Sequence, residues 1–201
     1  YADILKLTKK TGIDVSGEGK GIFLNKSKVG PVEISVMGFG QSFQITPIEL
    51  IRMVSVVVNG GYDITPHFGK TIFTENGDYS YPLYETDDIC KEENRIISQS
   101  TSEFVKKALL NVVEHGGATA GKVEGYNVGA KTATSEKLPR RQGKYIGGYM
   151  SFAPYNDPEV IALCLIDEPQ GQYYGSIVAL PAVQKLYTEI LPYLGIEKAE
   201  V

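Results

Sequence analysis

With 201 residues, 42% of them hydrophobic, the chain is long enough to bury one sizeable core, and it falls in the globular class. Lys plus Arg number 20 against 24 Asp plus Glu, so there is no broad basic surface to neutralise a phosphate backbone and nucleic acid is not an expected partner. Cys90 and Cys164 are the only two cysteines; Cys164 sits inside the apolar run 160–166, and two residues so placed make no disulfide framework. No apolar stretch reaches the roughly 18 residues that span a bilayer. The start, Tyr1-Ala-Asp-Ile-Leu-Lys6, lacks the layout of a signal peptide, so any targeting segment is expected upstream.

In chain order, Asp14-Val-Ser-Gly-Glu-Gly-Lys-Gly21 superficially has the look of a phosphate loop. It lacks the first glycine of that motif, and Gly21 stands where Ser or Thr is needed. The first helix is predicted from Thr46-Pro47-Ile48-Glu49. Thr46 is the cap, Pro47 suits the first helical position, and Glu49 reaches back to complete a capping box. The helix runs through Leu50, Ile51, Val54, Val57 and Val58 to the stop Asn59-Gly60-Gly61; being apolar on most faces, it is expected to be largely buried. Residues 64–97 show little periodicity and read as an irregular excursion. It holds Tyr79, Tyr81 and Tyr84, a candidate carbohydrate-stacking surface, and the acidic run 85–93.

A second helix is predicted from near Ser100, with Glu103 at capping-box spacing and Phe104, Val105, Ala108, Leu109, Val112 and Val113 on one stripe. Three strands follow, at 127–135, 145–153 and 160–167; the turn-forming cluster Pro154-Tyr-Asn-Asp-Pro-Glu159 divides the last two. Short loops between them suggest an antiparallel meander. A third helix is predicted over 178–191, with Val183, Leu186, Tyr187, Ile190 and Leu191 at helical spacing. The fold class is therefore α+β, with helices packed on an antiparallel sheet. His67 and His115 are too isolated to propose a metal site, and no cofactor is expected. Lys137, Arg140, Arg141 and Lys144 read as a solvated hairpin tip rather than a basic lip for an acidic polymer.

The stretch that carries chemistry is Gly129-Ala130-Lys131-Thr132-Ala133-Thr134-Ser135. On a strand, Lys131 and Ala133 point one way and Thr132 and Thr134 the other. A lysine beside hydroxyls and free backbone N–H groups holds a carboxylate and stabilises developing negative charge.

Several ordered segments carry a resemblance over nearly the whole chain. They are Lys10-Thr-Gly-Ile-Asp-Val-Ser-Gly-Glu18, Met37-Gly-Phe-Gly-Gln-Ser-Phe-Gln-Ile-Thr-Pro-Ile-Glu-Leu50, Val123-Glu-Gly-Tyr-Asn-Val-Gly-Ala-Lys-Thr-Ala-Thr134, Tyr145-Ile-Gly-Gly-Tyr-Met-Ser-Phe-Ala-Pro154 with Asn156-Asp-Pro158, and Leu191-Pro-Tyr-Leu-Gly195. Together they resemble the C-terminal half of the transpeptidase domain of class B penicillin-binding proteins, whose fold is shared with serine β-lactamases. That family works with a serine followed three residues on by lysine, a Ser-x-Asn pair, and a lysine-threonine-glycine strand. Only a version of the third is in this sequence, which contains neither Ser-x-x-Lys nor Ser-x-Asn.

The resemblance implies that residues 1–201 are the C-terminal part of one transpeptidase domain, inactive alone, whose partner is the N-terminal half with the nucleophile. It implies a D,D-transpeptidase that cross-links peptidoglycan, with D-Ala-D-Ala stem peptides and β-lactams as ligands, on the outer face of a bacterial membrane. Lys131 would join the catalytic network, Thr132 and Thr134 would bind the substrate carboxylate, and the Thr134 N–H would be one oxyanion donor. Ala133 stands where the family usually has glycine, and its methyl either narrows the cleft or is absorbed by repacking. The alternatives are a non-catalytic binding or scaffold module, and a penicillin-recognising hydrolase of the same fold.

Overall fold

A computed structural model describes residues 1–77, 80–82, 90–139 and 141–199, and the chain divides into two units, Tyr1–Gln99 and Ser100–Val201.

In the first unit, α1 spans Pro31–Met37. Proline opens it, and the Glu33 carboxylate accepts a hydrogen bond from the Gly30 N–H at 2.9 Å. None of its residues is buried, so no apolar periodicity announced it in the sequence. Helix α2, Pro47–Val58, has the predicted capping box. Thr46 Oγ1 accepts from the Glu49 N–H at 3.2 Å, and the Glu49 carboxylate accepts from the Thr46 N–H at 2.6 Å. As expected the helix is largely covered, with Val54, Val56 and Val58 in its core alongside the charged Glu49 and Arg52. It stops at Gly60 and Gly61, both at positive φ; a Cβ on Gly61 would also lie 2.0 Å from the Ile97 carbonyl oxygen.

The excursion over 64–97 is more ordered than its sequence suggested. Strands β1, Thr71–Phe73, and β2, Ser80–Pro82, form an antiparallel pair with Ile72 opposite Tyr81. Strands of three residues are too short for a period-two pattern to register. Further on, Arg95 anchors the segment: its guanidinium donates to the Gly60 carbonyl and the Tyr62 hydroxyl and lies over the Tyr62 ring, 4.2 Å from the centroid.

Helix α3 spans Gln99–Glu114, and all of it after its first residue belongs to the second unit. Its covered face runs the length of the helix through Ser102, Val105, Leu109 and Val113, and the predicted stripe is only partly on it. Val113 is buried and Val112 packs on the core, but Phe104 is 76% exposed and Ala108 is exposed too. Periodicity groups residues onto one side of a helix, but which part of that side is covered is set by what packs against it.

Strands β3, Gly129–Glu136, β4, Tyr145–Ala153, and β5, Val160–Asp167, form an antiparallel sheet in the order β3-β4-β5, the predicted meander, with the first strand beginning two residues later than expected. One rung runs Thr132, Tyr149, Cys164. Gly129 is a steric requirement here, since a Cβ would fall 2.2 Å from the ring of Phe152, its cross-strand partner.

The short α4, Gly175–Val178, leads into α5, Leu180–Tyr193, which starts two residues later than the predicted third helix and ends two residues beyond it; Pro192 lies within its last turn. Leu180, Val183, Tyr187 and Leu191 are buried in one cluster with Ala130, Tyr149, Ala153 and Ala162 of the sheet. Leu186, assigned to the same stripe, is 45% exposed.

Candidate functional site

Strand β3 carries the motif, and its burial alternates as the period of a strand requires. Lys131, Ala133 and Ser135 are exposed on one face, and Thr132 and Thr134 are half-buried on the other. The helices occupy the threonine face. A Cβ on Gly147, opposite Thr134, would meet Val178 Cγ2 of α4 at 2.5 Å, whereas one on Gly148, opposite Ala133, would meet Leu165 Cδ2 at 3.0 Å.

The hydrogen-bond phase decides what the strand can offer. Just beyond β3, the Lys137 N–H donates to the Lys144 carbonyl at 2.9 Å, in the same register as the strands. Antiparallel rungs alternate between bonded and non-bonded pairs, so residues 131, 133 and 135 bond to β4 while 132, 134 and 136 turn their N–H and C=O groups to the outer edge. Among the described residues that edge pairs with no strand. The Lys131 ammonium curls to it, donating to the Thr132 carbonyl at 2.9 Å. A cation and the Thr134 N–H therefore share one edge, the arrangement that binds a carboxylate or an oxyanion.

Ala133 is exposed, and glycine stands opposite it at 148. A Cβ there would sit 3.5 Å from the Ala133 methyl, in ordinary contact, so the methyl needs no repacking within the sheet and protrudes from the Lys131 face. Tyr149, opposite Thr132, is a core residue: burial pushes its phenol to about 12, which removes it as a proton-transfer group near neutrality.

One neighbour of the motif was overlooked in the sequence. Gly175, the first residue of α4, donates its N–H to Thr134 Oγ1 at 3.4 Å. The signal was the glycine just ahead of the predicted third helix.

The other sequence features have local partners or lie on the surface. The Asp14–Gly21 loop is held by its own carboxylates. Asp14 accepts from the Phe68 and Gly69 N–H groups, and Glu18 from the Thr11 hydroxyl and N–H and the Gly12 N–H. Both pKa values are lowered, Asp14 first by the Phe68 N–H and Glu18 first by the Thr11 hydroxyl. His67 and His115 are exposed.

The Lys137 ammonium is tied to Asp167 at 2.9 Å and Glu168 at 2.8 Å, and Lys144 reaches Glu168 at 3.4 Å, so these two cations serve the hairpin itself. Arg140, Tyr79, Tyr84 and the side chain of Tyr81 lie outside the described residues, and with them the carbohydrate-stacking reading. A cleft of about 450 Å³ includes Tyr126, Tyr155 and Lys198 in its lining but no residue of the β3 motif. No helix among the described residues is long and apolar enough to cross a membrane.

Stage V sporulation protein D of Bacillus subtilis is 37% identical over 195 residues, covering 94% of this chain and 29% of that protein. A probable peptidoglycan D,D-transpeptidase, PenA, of Neisseria gonorrhoeae is 32% identical over 185 residues, covering 90% of this chain and likewise 29% of its own length. The chain thus spans less than a third of these relatives. Among solved structures, penicillin-binding protein 3 of Mycobacterium tuberculosis complexed with ampicillin matches with a TM-score of 0.85 at 18% identity, over 100% of this chain and 46% of that one. The apo transpeptidase domain of Burkholderia pseudomallei penicillin-binding protein 3 matches at 0.80 and 20%, over 100% and 58%. These likenesses establish the shared α+β fold. The family model for the penicillin binding protein transpeptidase domain matches residues 1–188, and with the edge strand and its lysine in view the chain belongs to that family.

Proposed function

We propose that the chain is the C-terminal part of a serine D,D-transpeptidase domain that cross-links peptidoglycan, and that it supplies the substrate-binding strand but not the nucleophile. The observation that carries this reading is the shared edge of β3, where the Lys131 ammonium and the outward Thr134 N–H lie together. In the full domain a serine Oγ contributed by polypeptide outside this sequence attacks the penultimate D-alanine carbonyl of a stem peptide. Its proton passes to a neighbouring base, the terminal D-alanine leaves as the amine, and an amine of a second stem displaces the serine from the ester.

Lys131 raises the positive potential of the proton network and attracts the substrate carboxylate, which Thr132 and Thr134 help to bind. The Thr134 N–H is one of the two donors to the tetrahedral oxyanion. β-Lactams acylate the same serine by ring opening. The N-terminal half of the domain is then an obligate partner, and the complete protein works outside the cytoplasm, held at the membrane by a segment beyond this sequence.

A fluorescent penicillin tests this. The isolated chain is expected to remain unlabelled, and labelling is expected once the N-terminal half is supplied. Covalent labelling of the isolated chain, or no labelling of the reconstituted pair, overturns the reading in favour of a binding or scaffold module.

A further inference from the structure

Among the described residues β3 pairs with a strand on one side only, so its position depends also on what packs on its face. The α4 turn sits over the rung formed by Ala133 and Gly148. A Cβ on Gly175 would lie 1.9 Å from the Gly148 carbonyl oxygen and 2.6 Å from the Ala133 carbonyl oxygen. Gly175 has no positive φ, so glycine is needed there for space and not for backbone freedom. The next rung shows the same closeness from the sheet side, where a Cβ on Gly147 would lie 2.5 Å from Val178 Cγ2 and 2.8 Å from the Tyr173 carbonyl oxygen. Two glycines, one on β4 and one on α4, thus let a helical turn rest directly on peptide groups. From that position the Gly175 N–H reaches Thr134 Oγ1.

We propose that Gly175 is a positioning residue for the transpeptidase motif: by pressing on the 133–148 rung and holding the Thr134 hydroxyl, it sets where the outward Thr134 N–H stands. This rests on the reading of Thr134 as an oxyanion donor. The geometry gives the size of the effect. Ordinary contact for a Cβ begins at 3.4 Å, so one placed 1.9 Å from the Gly148 oxygen demands a relative shift of about 1.5 Å. Oxyanion donors act over 2.7–3.1 Å, and a misplacement of about 1 Å in such a site costs on the order of a hundredfold in rate.

The test compares Gly175→Ala and Val178→Ala with wild type in the complete transpeptidase domain, by stopped-flow acylation with a chromogenic cephalosporin. Gly175→Ala is expected to lower the acylation rate constant about a hundredfold, with a smaller loss of noncovalent affinity because the Thr134 hydroxyl also meets the substrate carboxylate. Val178→Ala, which removes both γ methyls, including the one seated over Gly147, and adds no atom, is expected to lower the rate constant several-fold. A merely structural role would reduce the amount of protein that reacts and leave the rate constant of the reacting fraction unchanged; that result overturns the proposal. Where Gly175→Ala yields no folded protein, an unchanged rate constant in Val178→Ala overturns it.

Failure of the wild-type domain to acylate would instead count against the proposed function. The positioning claim is then decided on the present chain by amide exchange. A larger increase in exchange over wild type across 129–136 than across 160–167 in either variant supports it, and an equal increase in both strands overturns it.

Discussion

The two units of this chain are held together by different physics. In the first, the structure is organised around buried and half-buried charge. Glu49 is 2% exposed and accepts from the Gly21 and Thr46 N–H groups. Arg52 is 7% exposed, donates to the Ile64 carbonyl and pairs with Asp63 at 2.5 Å. Asp14 and Glu18 gather loop N–H groups in the same way. The second unit has an apolar centre between sheet and helix, filled by Leu180, Val183, Tyr187 and Leu191 against β4 and β5. Loops with few apolar residues keep their shape by satisfying backbone donors with carboxylates, whereas a sheet with one covered face keeps it by volume. The proposed site lies on the volume-dependent unit, at the edge of its sheet.

The contrast can be broken or sharpened by experiment. The largest effect is expected at the site itself, where Lys131→Ala in the complete domain should slow acylation by a hundredfold or more, the usual scale for removing a group from a proton-transfer network; an unchanged rate removes Lys131 from the site. In the first unit, Asp63→Ala strips Arg52 of its carboxylate and leaves a nearly buried cation. The cost should be about 3 kcal/mol, read by urea unfolding, and a loss below about 1 kcal/mol would show that the pair is not structural. The matching change in the second unit is Leu191→Ala. Cavity formation there should cost a similar 2–5 kcal/mol, but without the salt dependence of the loss in Asp63→Ala, and equal salt dependence of the two losses would dissolve the contrast.

The smallest effect is expected from acid. The pKa values of Asp14 and Glu18 lie below their ordinary 3.8 and 4.5. Their contribution is therefore present above about pH 4.5 and is lost as the pH falls through the depressed folded values. Amide protection factors should fall first around residues 11–18 and 65–69, ahead of β4 and β5, and simultaneous loss would contradict the division. Glu168, whose pKa is lowered first by the Lys137 side chain, should loosen the β3–β4 hairpin over the same range without disturbing the core.

Local grammar gave away a large part of this protein. The capping box of Thr46 and Glu49, the turn cluster at 154–159 and the alternation through Lys131 to Thr134 depend on residues near one another in the chain, and helices, turns and strand faces are decided at that range. The ordered run of segments also carried the family. What sequence order does not encode is which groups meet across space. The exposure of Phe104 and Leu186 depended on which side of each helix the packing covered. The short β1–β2 pair depended on long-range pairing that leaves no period. The outward phase of the Thr134 N–H followed from register with β4, and the closeness of Gly175 to Ala133, some forty residues away, from a helical turn laid on the sheet. Such contacts are set by tertiary packing because steric exclusion and hydrogen-bond phase act between surfaces, and surfaces exist only once the chain has folded.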